Sequence, residues 1–181
     1  VNSQSGKGGV AYIMKTDHGI NMPRGMQMEF SSIVQEVTDS AGGELNSKAI
    51  YDVFAREFLD RTAPLELVNV RVQNAETDID DVNISALVLY DGNSHELTGT
   101  GNGPIAAYAN ALEKLGIDLE VADYSQRSRS AGDDAEATCF ILADINGTEA
   151  WGAGIAGSTT MASFHAVDSA VNRALGGSVA H

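Results

Sequence analysis

The sequence predicts an α+β fold: two βββα units related by a pseudo-twofold, preceded by a small, mainly helical subdomain. Three observations predict it. Apolar residues recur every three to four positions before Pro64 and every second position after it. An X-Gly turn, a short strand, a G-x-G and a helix then follow one another twice, at Asp91-Gly92 with Gly99/Gly101 and at Asn146-Gly147 with Gly152/Gly154. Two successive units of this kind imply a pseudo-symmetric domain with helices on one sheet face.

Residues 1–22 are glycine-rich, hold one short apolar run from Val10 to Met14, and end in a polar turn. Two helices follow over 23–60. Pro23 suits the start of the first, and Met26, Phe30, Ile33, Val34 and Val37 give it one apolar face before Gly42-Gly43 ends it. Asn46 or Ser47 can cap the second, whose face is Ile50, Val53, Phe54 and Phe58. Pro64 closes this piece, which is too small to be stable alone.

Val68, Val70 and Val72 then alternate with polar residues as a half-buried strand, and an acidic loop runs from Glu76 to Asp81. Val82 to Tyr90 is a second strand, stopped by Asp91-Gly92, both of which tolerate the positive φ of a hairpin turn. A third strand leads to Gly101-Asn102-Gly103-Pro104, and a helix starts at Pro104, with Ile105, Tyr108, Ala109 and Leu112 on its face, and stops at Gly116. In the second unit Leu119 and Val121 open a strand toward Arg129, and Ala135 to Asp144 form a more apolar one. After Asn146-Gly147 comes a strand with Trp151, then a helix faced by Phe164, Val167, Val171 and Leu175 and ended by Gly176-Gly177.

A chain of 181 residues can hold one sizeable core, or one domain and an appendage. Its net charge of −14 repels phosphate backbones and anionic membranes, so neither nucleic acid nor membrane is an expected partner. No run approaches the apolar length of a membrane helix, no leader with a cleavage site opens the chain, and the cytoplasm is the expected compartment. The single cysteine, Cys139, excludes an internal disulfide and lies in an apolar run as an expected inert core residue. The start at Val1 suggests a fragment of something longer.

Most motif-like stretches fail on inspection. Ser5-Gly6-Lys7-Gly8-Gly9 lacks the glycine and the Ser/Thr that a phosphate loop needs, and reads as a tight surface turn. His18, His95, His165 and His181 have no metal-ligand spacing. Asp78, Asp80 and Asp81 lack the rest of a calcium loop, and Asp133-Asp134 have no nucleophile or histidine nearby. No metal site and no catalytic constellation is expected. Gly101-Asn102-Gly103-Pro104 is more suggestive, because it brings bare backbone to a helix start, where free N–H groups favour a carboxylate. An amino acid fits such a place, although a sharp strand-to-helix turn is the simpler explanation of the glycines.

The stretch from Val1 to Tyr12 resembles the segment after the catalytic barrel in 2-isopropylmalate synthases. Gly101-Asn102-Gly103-Pro104-Ile105-Ala106-Ala107 and Ser130-Ala131-Gly132-Asp133-Asp134-Ala135 resemble that family's leucine-sensing domain, and Trp151-Gly152-Ala153-Gly154-Ile155-Ala156 the matching turn of its second half. The resemblance implies a linker subdomain over 1–62, an allosteric leucine-binding and dimerisation domain over 63–177 and a disordered tail over 178–181. The family's TIM barrel, which binds a divalent metal and condenses acetyl-CoA with 2-oxoisovalerate, is absent, so no cofactor and no enzyme activity are expected of this fragment. Its implied partners are L-leucine as feedback inhibitor, a second copy in a homodimer, and the catalytic barrel of the same protein. Carried over by motif, the leucine pocket takes Gly101, Asn102, Gly103, Ile105 and Ala106, then Val121, Tyr124, Ser128 and Ala135, then Ile155 and Ala156. The alternatives are the isoleucine-sensing domain of a citramalate synthase and a dimerisation module without a ligand.

Overall fold

The computed structural model describes residues 6–74, 81–129 and 135–176. Helix α1 (Gly6–His18) comes first, followed by α2 (Arg24–Ala41), α3 (Ser47–Phe54) and a π-helical turn over Ala55–Leu59. The α1 helix corrects the expectation of a glycine-rich turn: residues 6–9 are helical. Its low intrinsic propensity is overridden by packing, since Val10 and Met14, one turn apart, are buried against Met26 and Phe30. The other helix ends follow their sequence signals. Pro23 is the N-cap of α2 and Gly42 its left-handed C-cap at φ 73°, while the Asn46 side chain accepts the Ala49 N–H at the start of α3.

Two antiparallel three-stranded sheets follow, each closed by its own helix. Sheet A is β1 (Leu65–Asn74), β2 (Val82–Tyr90) and β3 (Asn93–Gly101), packed on α4 (Pro104–Leu112) with a 3-10 turn at Glu113–Leu115. Sheet B is β4 (Leu119–Arg129), β5 (Glu136–Ile145) and β6 (Thr148–Ala156), packed on α5 (Thr159–Leu175). The hairpin turns place Asp91 and Asn146 at φ 50° and 52°, and irregularities fall at Leu67/Asn69 in β1 and Val121/Asp123 in β4. The first of these breaks the expected alternation. Val68 turns outward and is 52% exposed, while Leu67 and Val70 stay on the core side.

The repeat is a structural one, with a register two residues different from the sequence reading. A Cβ on Gly99 would lie 2.1 Å from the Ala107 carbonyl and 2.7 Å from the Ala111 nitrogen; on Gly154 it would lie 2.1 Å from Ala162 O and 2.6 Å from Ala166 N. Gly99 therefore corresponds to Gly154, not to Gly152, and Gly101 to Ala156. At both places the helix backbone rests directly on the strand, which only a missing Cβ permits.

The two sheets differ in what covers their second face. Phe140, Trp151, Ala153 and Ile155 of sheet B pack into the core of the helical subdomain, with Phe30, Phe54 and Phe58. The corresponding face of sheet A carries Arg71, Ser85, Glu96, Thr98 and Thr100, all exposed. Composition follows cover: Phe140, Trp151, Ala153 and Ile155 on the covered face have polar residues, Ser85, Glu96, Thr98 and Thr100, at the equivalent positions of the open one.

Candidate functional site

Two neighbourhoods hold the sequence-predicted residues. At the end of β3 the chain turns through Asn102 and Gly103 into α4. Gly101 lies so close to the helix that a Cβ there would meet Ala107 N at 2.6 Å and the Ala106 side chain at 2.7 Å. Gly103 is the N-cap, extended at φ 177°, with no side chain to cap the helix and Pro104 just inside. The first backbone bond of α4 runs from Ala107 N to Gly103 O at 3.0 Å, leaving the Ile105 and Ala106 amides ahead of it. The helix dipole adds to this uncapped set of donors on half-buried residues.

The second neighbourhood is the helix-facing side of sheet B. Tyr124 pairs with Ile141, and Ser128 with Ala137, which in turn pairs with Ala156, so these side chains share the face on which α5 packs. Val121 lies on this face at the start of β4. Tyr124 and Cys139 meet at 3.6 Å, Cys139 lies 3.7 Å from the Thr159 carbonyl, and Gln126 donates to the Thr159 hydroxyl at 2.9 Å. Burial, with the Cys139 contact, raises the Tyr124 phenol well above its ordinary range, and burial also raises the Cys139 thiol. Both stay protonated at neutral pH, so the neighbourhood offers neutral hydrogen-bonding groups in apolar surroundings.

Ile155 is adjacent to Ala156 in β6 and therefore points the other way, toward the helical subdomain. Ala135 precedes β5 and is exposed. Ser130 to Asp134, part of the expected motif, lie outside the described residues, as do residues 1–5, 75–80 and 177–181, on which the expected acidic loop and disordered tail fall. Among the described residues no cluster of three histidine, cysteine or carboxylate side chains could hold a metal, and no helix is long and apolar enough to cross a membrane.

Residues 44–175 match the LeuA allosteric (dimerisation) domain. The chain belongs to this family. It is 62% identical over 175 residues to a 2-isopropylmalate synthase of Corynebacterium glutamicum, covering 97% of this chain and 28% of that protein. The 2-isopropylmalate synthases of Mycobacterium leprae and Thermobifida fusca are 49% and 45% identical, over 97% and 96% of this chain and 29% and 30% of theirs. The chain thus spans less than a third of the length of these relatives.

The LeuA domain match begins within the helical subdomain, at the loop before α3. The joint between that subdomain and the two βββα units is built from α5 residues that sequence reasoning missed. Asp168, Ser169, Asn172 and Arg173 are polar at i, i+1, i+4 and i+5, continuing the side that His165 begins, and this spacing was the available signal. Asn172, fully buried, accepts from Leu65 N at 2.8 Å and donates to Leu65 O and Arg61 O at 2.7 and 3.1 Å. Arg173 donates to Glu57, Glu29 and the Trp151 carbonyl, and lies 4.3 Å over the Phe58 ring.

Proposed function

We propose that this chain is the leucine-sensing part of a 2-isopropylmalate synthase. It binds L-leucine as the feedback inhibitor of the condensation of acetyl-CoA with 2-oxoisovalerate in the cytoplasm. The barrel that performs the condensation, with its divalent metal, belongs to the remainder of the protein.

The observation that carries this reading is the contrast between the two helix starts. The N-terminus of α4 is bare, with Gly103 as cap, whereas the Ser158 side chain at the start of α5 accepts the Met161 N–H at 3.2 Å. Of two otherwise equivalent turns, one keeps its amides available for a carboxylate. Gly101, Asn102, Gly103, Ile105 and Ala106 supply that end of the pocket. Val121, Tyr124, Ser128 and Ala156 supply apolar walls and a hydroxyl, with Ala135 and the backbone of Ile155 at its rim.

Dimerisation completes the site. Val121 and Tyr124 of β4 are 40% and 39% exposed, and Val68 and Val72 of β1 are 52% and 42% exposed, so both first strands leave apolar surface for a second copy. Names of the relatives favour leucine over isoleucine as effector.

Isothermal titration with leucine, isoleucine and valine, with light scattering alongside, tests the reading. Saturable binding of about one leucine per protomer on a dimer is expected. Preference for isoleucine would move the protein to a citramalate synthase, and no heat with any of the three on a folded dimer would leave a scaffold.

A further inference from the structure

We propose that α5 is the rod through which the effector site is linked to the helical subdomain, with Ser169 and Arg173 as its coupling residues. This rests on the leucine-sensing reading above. The first turn of α5 belongs to the sensing side: Thr159 takes the Gln126 hydrogen bond and its carbonyl faces the thiol that touches Tyr124. Arg173, fourteen residues on, is about 20 Å away along a continuous helix.

The internal repeat shows what the second unit adds. Lys114 in the first unit corresponds to Ser169 in the second, and Thr98 to Ala153, by the same 55-residue offset that relates Gly99 to Gly154. Lys114 only closes its own sheet edge, donating to the Thr98 carbonyl at 2.7 Å. Ser169 holds the equivalent edge position, accepting Ala153 N at 3.1 Å, and then donates onward to the Phe58 carbonyl at 2.6 Å. The receiving segment is the π-helical turn Ala55–Leu59, a rare form that recurs frequently at functional sites. Arg173 grips the same turn, through Glu57 at 3.0 Å and the Phe58 ring. The Arg173 and Glu57 side chains are 9% and 8% exposed, and separating a pair so buried would leave an uncompensated charge away from water. A shift of α5 along its axis is therefore carried into residues 55–59 and not absorbed in solvent.

The test uses the full-length protein, in wild-type form and as Arg173→Met and Ser169→Ala, each measured for leucine affinity by calorimetry and for leucine inhibition of condensation. Hydrogen exchange of residues 55–59 with and without leucine is followed in parallel. Expected are leucine affinities within about twofold of wild type, inhibition weakened at least tenfold in Arg173→Met, and loss of the leucine-dependent change in exchange at 55–59. Ser169→Ala, a smaller change, keeps the experiment decisive should Arg173→Met not fold, and is expected to weaken inhibition in the same direction. Full inhibition in a folded variant, or no leucine effect on 55–59 in the wild type, would overturn the proposal. Failure of the wild type to bind leucine at all would instead overturn the sensing reading, and this one with it.

Discussion

Tyr108 of α4 donates its hydroxyl to the Asp168 carboxyl of α5 at 2.5 Å, and both groups are buried. The second oxygen of Asp168 accepts the Leu67 N–H at 3.2 Å, so one side chain ties two helices to β1. Burial raises Asp168 to about 7; the Tyr108 and Leu67 bonds pull it down, and Glu66 on β1 adds to the rise. His165, a turn earlier on α5, lines the same cleft with Arg61.

Because the folded carboxyl titrates above its unfolded value of 3.8, the folded state holds this proton more tightly. Its contribution to stability is therefore full below about pH 4, falls as pH rises toward 7, and is level above. The span is up to about 4 kcal/mol at 1.36 kcal/mol per unit. Asp168→Asn can still accept from Leu67 and donate to Tyr108. Urea melts from pH 4 to 8 should show the wild-type slope flattened in this variant; an unchanged slope would assign the titration elsewhere.

Gly103→Asp tests the bare helix start without disturbing the fold. A Cβ at Gly103 meets nothing within 4 Å, and its φ of 177° suits any residue. The added carboxylate would cap α4 and repel the effector's own. Leucine affinity by calorimetry should fall more than tenfold while the melting temperature holds or rises. Wild-type affinity would move the site away from α4.

Gly154→Ala and Gly157→Ala form a contrasting pair. The first puts a methyl 2.1 Å from the Ala162 carbonyl, so α5 must lift from β6; the second meets nothing. Chemical denaturation should show a loss of about 3 kcal/mol or more for Gly154→Ala and within about 0.5 kcal/mol for Gly157→Ala.

Asn172→Leu removes two buried hydrogen bonds to Leu65 at the start of β1 and a part-buried one to Arg61, and strands the Leu65 amide and carbonyl. A loss of about 2–4 kcal/mol is expected in the same assay, larger than burial of the added apolar side chain can offset.

Much of the fold was legible because local signals carry their own geometry. Gly42, Gly116, Asn46, Asp91 and Asn146 end or turn the chain as their chemistry requires. Helix α1 was not, since three glycines, at 6, 8 and 9, precede a short apolar run and only tertiary packing makes them helical. The register of the repeat is misread when the glycines are paired by order: the turns Asp91-Gly92 and Asn146-Gly147 are 55 residues apart, which already aligns Gly99 with Gly154. The helix contacts at Gly99 and Gly154 decide it. At the candidate site, the strand rule separates Ile155 from Ala156 once β6 is known, whereas a motif carried over as a block does not. The α5 seam escaped notice because its polar residues look like a solvated edge until Phe58, Leu65 and Trp151 are brought beside them.

The apolar outer face of sheet B also fixes where a recombinant fragment can begin. Phe140, Trp151 and Ile155 are wetted if the first three helices are cut away, and Gly25 touches Trp151 so closely that a Cβ there would lie 2.9 Å from the indole. A truncation at residue 63 would present a bare hydrophobic sheet to its neighbours in solution, and one at residue 44, where the family match starts, would keep only α3 and the π-helical turn of its cover. Inclusion bodies are the expected harvest from either clone, and a soluble product from one that keeps α1.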